Sequence, residues 1–422
     1  MSDADAVRES ALPLEYAEDL DPLMDRIGDA RCVLLGEASH GTHEYYAWRA
    51  ALTKRLIAER GFSFVAVEGD WPDCWAVNAS VTRAEGAPAD PRAALDGYRR
   101  WPTWMWANQE TVNFCRWLRD HNDGPRVGFY GLDVYSLWES LRAIITHLSD
   151  HRPEYVGTAL DAYRCFQPYG EDPQSYAWNR LVPGGCEEEV LALLTRLRRP
   201  GGADPAGDLN ARQNAEVAAG AERYYRAMIG GGPDAWNVRD THMADTLDRL
   251  LDFHGPGARA VVWAHNTHIG DARATSMAAS GMVNLGQLAR ERMGRDRVVA
   301  VGFAGGHGEV IAAPRWGDPM ERMTMPGPRP DSAEALLEAS GVDRGLFVFA
   351  DRPGADWFTE TRGHRAVGVV YDPTRDRRNY VPTRLADRYD ALCWFRRTSA
   401  LEPLHMEAAV RYDELETVPS GV

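Results

Sequence analysis

Positive charge is scarce in this chain. Its 47 Lys and Arg face 62 Asp and Glu, a formal net charge of −15. That excludes the basic face of a nucleic-acid binder and disfavours anionic membrane surfaces. Paired cysteines are lacking too. Cys32, Cys74, Cys115, Cys165, Cys186 and Cys393 are scattered without a C-x-x-C spacing. Neither a zinc cage nor a disulfide frame is expected, and the six read as reduced thiols. No apolar run approaches membrane-spanning length. Met1–Ser10 is acidic, without the apolar stretch of a secretory leader, so a cytoplasmic location is expected. The G-x-G-x-x-G, P-loop and G-x-S-x-G patterns are missing, which argues against dinucleotide, nucleoside-triphosphate and serine nucleophile-elbow chemistry. There is no internal repeat and no low-complexity tract.

What is present is organised around Arg31–Asp70. Arg31–Leu35 is a short apolar run that reads as a buried strand. A polar loop, Gly36–His43, follows, with Ser39 and Thr42 as candidate helix caps. Tyr45, Trp48, Leu52 and Leu56 then recur at helical spacing, Gly61 stops the helix, and Phe62–Glu68 is a second apolar run. Strand, helix, strand in so short a space predicts a right-handed unit with parallel strands. Glu37 and His40 follow the first strand, and Glu68 and Asp70 close the second, so all lie at the carboxyl edge where open α/β sheets bind ligands. Arg49 borders the apolar helix face and either snorkels or reaches over the loop toward those carboxylates.

Further strands are expected at Arg126–Tyr130, ending near Asp133; at Ala260–Trp263, followed by His265 and His268; at Val298–Phe303, followed by a glycine-rich loop with His307; and at Leu346–Ala350, Ala366–Tyr371 and Ala391–Phe395. Between Leu137 and Gly230 the periodicity is helical. The expected fold is therefore α/β, a largely parallel central sheet flanked by helices, with a mostly helical insertion or cap. The 422 residues divide into a flexible tail over 1–18, the first half of the core over 19–136, the insertion over 137–235, the second half over 236–402 and a C-terminal tail over 403–422. Trp101, Trp104 and Trp106 crowd the start of a helix expected over Trp101–Asn122. They line an apolar pocket or fill core, as buried indoles commonly do.

Polar strand ends converging on one edge must compensate each other's burial. Three chemistries fit them. In the first, His40 is a general base whose tautomer is fixed by Glu37 or Glu68, and His265 and Arg49 bind the oxyanion of an ester or lactone. In the second, Glu37, His40, Glu68 and His265 hold a divalent metal such as zinc or manganese, though their spacing matches no standard metal motif. In the third, Ser39 is a nucleophile, in a loop that lacks the elbow pattern.

The segments GEASHGTHE, VEGDWPD, WPTWMW with NFCRWLR, YGLD, NVRDTHMA, WAHNTHIGDAR and AVGVVYDP, in this order over Leu34–Glu402, resemble the erythromycin esterase family. The resemblance implies an α/β core with a helical cap and hydrolysis of an ester or macrolactone in the cleft between them. It places the base on His40, supporting carboxylates on Glu37 and Glu68, the arginine on Arg49 and the second histidine on His265. Trp104, Trp106, Asp133, His268 and His307 are the candidate substrate contacts. The chain departs from its relatives at Ala107, where they often carry Arg, and at Gly305-Gly306-His307, where a Tyr/Thr-rich loop is common. The expected partner is a small ester or lactone, with no nucleic acid and no membrane. No cofactor is expected, the divalent metal being the alternative. A non-catalytic binding protein that keeps the pocket is the remaining class.

Overall fold

The computed structural model describes residues 2–124, 126–170, 173–178, 185–198, 204–228, 230–349 and 356–406. Its centre is an eight-stranded sheet. Six strands run parallel: β1 (Cys32–Leu35), β2 (Phe64–Val67), β3 (Gly128–Gly131), β4 (Ala260–Trp263), β5 (Val298–Ala312) and β10 (Ala391–Thr398). β7 (Arg344–Val348) is antiparallel on the β10 edge, and β6 (Glu321–Met325) is antiparallel to the far half of β5. A separate hairpin pairs β8 (Thr361–Arg365) with β9 (Tyr380–Arg384). The order is β3-β2-β4-β1-β5-β10-β7. β1 and β2 are parallel, as their sequence predicts, but β4 lies between them.

β1, β2 and β4 are apolar and buried at every position because both faces are covered. Val33 and Leu35 join one buried cluster and Cys32 and Leu34 the other, the alternation expected of a strand. The helix His43–Arg60 follows β1 and ends at Gly61, whose left-handed φ of 67° lets its N–H reach the Ile57 and Leu56 carbonyls.

The described residues between 137 and 228 include the helices Leu137–His151, Val156–Phe166, Pro173–Trp178, Glu187–Leu197 and Pro205–Met228, which share a third core. The long helix Asp234–His254 returns the chain to the sheet.

Four sequence expectations are corrected. The N-terminal stretch is no loose tail: Asp3–Ser10 is a helix with a Ser2–Asp5 capping box, and Val7 is completely buried. Gly305-Gly306-His307 is no loop but the middle of β5. A Cβ on Gly306 would meet the Arg396 carbonyl oxygen at 2.5 Å, so the glycines admit the adjoining β10 backbone. Ala366–Tyr371 is not a strand. Its apolar residues make isolated bridges, Val367 to Ser39 and Val370 to Ala313, after β8 has ended. Finally, Cys165 and Cys186 form a disulfide, with Cα atoms 5.8 Å apart. Their 21-residue separation hid a contact that packing of the cap helices creates. Cys32, Cys74, Cys115 and Cys393 are free and buried. Of the expected C-terminal tail, 407–422 lie outside the described residues.

Candidate active site

The four adjacent strands β3, β2, β4 and β1 deliver Asp133, Glu68, His265 with His268, and Glu37 with His40 to one edge. A cavity of about 140 Å³ opens there, and His40, Glu68, Asp133, Arg239, His265 and His268 contribute to its wall.

On β1, the loop after the strand turns Glu37 inward. His40 Nδ1 lies 2.9 Å from Glu37 Oε1. With Nδ1–H donated to the carboxylate, the Nε2 lone pair is left for the cavity. Arg49 Nη2 donates to Glu37 Oε2 at 2.8 Å. Arg49 is completely buried, its guanidinium 4.3 Å from the Tyr46 ring centroid and 5.1 Å from that of Trp263. It therefore neither snorkels nor lines the cavity. It clamps Glu37 from beneath. Tyr46 donates its hydroxyl to the His40 and Met105 carbonyls, at 3.1 and 2.7 Å, fixing the loop from the same side.

On β4, the rings of His265 and His40 are 4.9 Å apart. The Thr267 backbone N–H donates to His265 Nδ1 at 3.3 Å, and the Thr267 hydroxyl lies 2.8 Å from the same nitrogen; with Nδ1 accepting from both, the proton of the neutral ring lies on Nε2. That Nε2 is buried and has no partner among the described residues. Burial and the neighbouring His40 hold the His265 pKa well below the usual imidazole range, so His265 stays neutral and is a donor rather than a base. Its backbone N–H donates to Glu68 Oε2 at 2.7 Å.

Glu68 is the hub. Arg239 Nη2 donates to its Oε1 at 2.7 Å, and His268 Nε2 lies 3.3 Å from the same oxygen. Burial alone would raise the Glu68 carboxyl, but His268, Arg239 and His40 outweigh it and hold the pKa well below the carboxylate range. Arg239 also grips Asp133 through two hydrogen bonds of 2.9 and 2.6 Å. Asp133 is lowered in turn, burial being outweighed by that guanidinium. His268 Nδ1 faces Asp240 Oδ2 at 2.9 Å, and its ring stacks on Trp236, with centroids 4.5 Å apart. Burial opposes its charge, yet Asp240 and Glu68 raise its pKa to about 9.

The expected residues do not all meet. Trp106 lines the cavity and donates Nε1–H to the Glu68 carbonyl at 2.9 Å. Trp104 is completely buried away from the cavity, in the core. His307 does not line it either. It points from β5 toward Glu338, 2.8 Å away. Arg239, Asp240, Trp236, Trp316 and Asp73 are contributors that strand-end reasoning missed. Arg239 and Asp240 sit in the NVRDTHMA segment, whose adjacent acid and base on an otherwise core-facing helix were a usable signal.

Glu37, His40 and Glu68 bring ligand atoms within 4.8 Å of one another, a geometry that a divalent ion can use. All four of their carboxylate oxygens, however, already face His40, Arg49, Arg239 or the His265 N–H. Each oxygen keeps a second lone pair, so Glu37, His40 and Glu68 could hold a divalent ion, which would supply an activated water, with these hydrogen bonds in place.

A helix-covered parallel sheet with buried histidines and carboxylates at adjacent strand ends defines an α/β enzyme. Comparison with known proteins makes the class specific. The family model for erythromycin esterase matches residues 57–398, and the chain belongs to this family of esterase-type hydrolases. Glu37, His40 and Arg49 precede the matched span. An Escherichia coli protein named erythromycin esterase type II is 28% identical over 381 residues, covering 81% of this chain and 86% of the relative. Two solved structures share the fold. One, described as a succinoglycan biosynthesis protein, has a TM-score of 0.79 at 22% identity, covering 96% of this chain and 98% of that one. The other, a mutant of the erythromycin esterase EreC in an open conformation, has a TM-score of 0.69 at 17% identity, covering 95% and 98%. Among the described residues no helix is long and apolar enough to cross a membrane.

Proposed function

We propose that this chain hydrolyses a carboxylic ester or lactone with water activated by His40 and without a metal. What carries the reading is one juxtaposition: an imidazole whose Nδ1 is committed to Glu37, beside a neutral imidazole whose Nε2–H has no partner. His40 Nε2 takes a proton from water as the oxygen attacks the carbonyl carbon. The carbonyl oxygen becomes an oxyanion and accepts a hydrogen bond from His265 Nε2–H. Collapse of the intermediate expels the alkoxide, which recovers the proton from His40. Glu37 stabilises the transient imidazolium, and Arg49 keeps Glu37 from being a lone buried charge. Glu68, anchored by Arg239 and His268, holds the His265 backbone.

The cavity of about 140 Å³ is small beside the roughly 300–1,000 Å³ of pockets that enclose drug-sized ligands. It accommodates the scissile group and its immediate neighbours, and the bulk of a macrolactone would extend past its mouth. The test is a hydrolysis screen over simple esters, lactones and macrolactones, with chelator-treated enzyme and His40→Gln. Retained activity after chelation and a loss of about 10²–10⁴ in kcat for His40→Gln are expected. Activity that vanishes with chelator and returns with one divalent ion, or survives in His40→Gln, overturns the reading.

A further inference from the structure

Two arginines hold carboxylates of the cavity wall in the same way. Arg100 donates Nε–H and Nη2–H to Asp70, at 2.6 and 2.8 Å. Arg239 grips Asp133 likewise and reaches on to Glu68. The two pairs are neighbours because the ends of β2 and β3 abut. The Asp133 N–H donates to the Gly69 carbonyl at 3.0 Å, and a Cβ on Gly131 would meet that oxygen at 2.4 Å. Carboxylates fix the edge of a guanidinium, whereas its face is steadied by packing, best on an aromatic ring. Both guanidiniums stand over one ring, that of Tyr135. The Cζ of Arg100 is 5.0 Å from its centroid and that of Arg239 is 4.8 Å away. The ring quadrupole attracts both charges, which otherwise repel each other.

Tyr135 lies between β3 and the helix Leu137–His151 and lines the cavity. Two tyrosines of the cap helix Pro205–Met228 fix it in place. Tyr225 donates its hydroxyl to the Tyr135 carbonyl at 2.7 Å. Tyr224 donates its hydroxyl to that of Tyr135 at 3.3 Å, and the two rings meet edge to face with centroids 5.0 Å apart. Neither Tyr224 nor Tyr225 is among the described residues that line the cavity. A chain of contacts therefore runs from the cap helix to Tyr135, from Tyr135 to Arg239, and from Arg239 to Glu68. It ends where Glu68 accepts the His265 backbone N–H at 2.7 Å.

We propose that Tyr135 is a positioning residue: its ring holds Arg239 and Arg100 against the cavity carboxylates and carries the placement of the cap helix, through Tyr224 and Tyr225, to Glu68 and His265. The assignment rests on the ester-hydrolase reading, in which His265 is the oxyanion donor. It makes the cap part of the catalytic geometry as well as a wall of the cleft.

The test uses 4-nitrophenyl butyrate as the probe, with thermal unfolding of each variant so that kcat refers to folded enzyme. Tyr135→Leu removes the ring, Tyr135→Phe keeps the ring and drops the hydroxyl, and Tyr225→Phe releases the Tyr135 carbonyl from outside the cavity wall. Tyr135→Leu is expected to lose about five- to thirtyfold in kcat, the range of a desolvated cation–ring contact, with KM nearly unchanged. Tyr135→Phe should restore most of that loss. Tyr225→Phe should lower kcat about two- to fivefold in the wild type and add little to Tyr135→Leu, where the contact it serves is already gone. Full kcat in Tyr135→Leu, an equal loss in Tyr135→Phe, a change confined to KM, or a Tyr225→Phe effect that is absent or strictly additive overturns the assignment. If the wild type cleaves no ester, the hydrolase reading fails on its own. Crystal structures of the wild type and Tyr135→Leu then decide the positioning role: Arg239 displaced from Glu68 in the variant supports it, and Arg239 in place overturns it.

Discussion

Replacing Arg49 by Met tests the architecture beneath His40. The guanidinium is completely buried, bonded to Glu37 at 2.8 Å and held against Tyr46 and Trp263. Methionine keeps much of the volume and removes the charge, leaving Glu37 buried with one oxygen unanswered. Breaking a buried pair from one side costs about 3–5 kcal/mol. Unfolding entropy is about 2.1 cal/mol/K per residue. Over 422 residues, Tm should therefore fall by about 3–6 °C if the chain unfolds as one unit. Activity should fall with it, because Glu37 either takes a proton or turns away and His40 loses the partner that fixes its tautomer. Calorimetry and kcat/KM on the same preparations read both effects. The double variant Glu37→Gln/Arg49→Met should be less destabilised than the sum of the single variants, since neither charge is then stranded. A loss below about 1 kcal/mol for Arg49→Met, with strict additivity in the double variant, would refute the clamp.

Two further outcomes follow from the same network. His268 has its pKa raised from an unfolded value of about 6.5 to about 9 in the fold. Its stabilising contribution is thus complete below about pH 6.5 and is lost as pH rises through about 9. Urea denaturation of the wild type and His268→Gln between about pH 6 and pH 10 should show their stability difference shrinking as pH rises, and a constant difference would refute the assignment. At Gly41, a Cβ would stand 1.9 Å from the Ile311 carbonyl oxygen. Gly41→Ala should therefore cost about 1–3 kcal/mol of overpacking and displace the adjoining His40. Denaturation and kcat/KM measure the two effects, and a fully active, equally stable variant would contradict the packing.

The βα alternation and the strand ends were legible because β1, β2 and β4 are short apolar runs followed by polar loops. Glu37, His40, Glu68, Asp133, His265 and His268 could be placed at one edge from that alone. The insertion of β4 between β1 and β2 was not legible, because no local pattern specifies which strands become neighbours. Nor was the inner position of Arg49. A guanidinium at the border of an apolar face reads equally well as reaching out or reaching in, and only the Tyr46 and Trp263 rings decide it. Strands signal their ends more clearly than helices signal which face meets a cavity, so Arg239, Asp240 and Trp236 went unassigned. His307 misled because three small or polar residues after an apolar run look like a loop. Here they let two backbones run side by side. The Cys165–Cys186 pair shows the same gap, since helices packed in space brought together thiols that the sequence keeps apart.

The strand order also sets a schedule. As the chain emerges from the ribosome, β1, β2 and β3 are complete after residue 131, yet β1 has no neighbour among them, because both strands that flank it, β4 and β5, come later. Glu37 and Glu68 are by then synthesised, and Asp133 follows two residues later, without Arg239, His265 or His268. Their burial must wait until the whole helical cap has been made and β4 slides between the two earlier strands. The cap is therefore translated inside the interval in which the sheet stands open, and the sheet cannot close without it. A nascent chain stalled before residue 260 would already hold Arg49 and Arg239 but would expose the edges of β1 and β2 without the strand that joins them, a form that invites chaperone capture rather than a smaller, working enzyme.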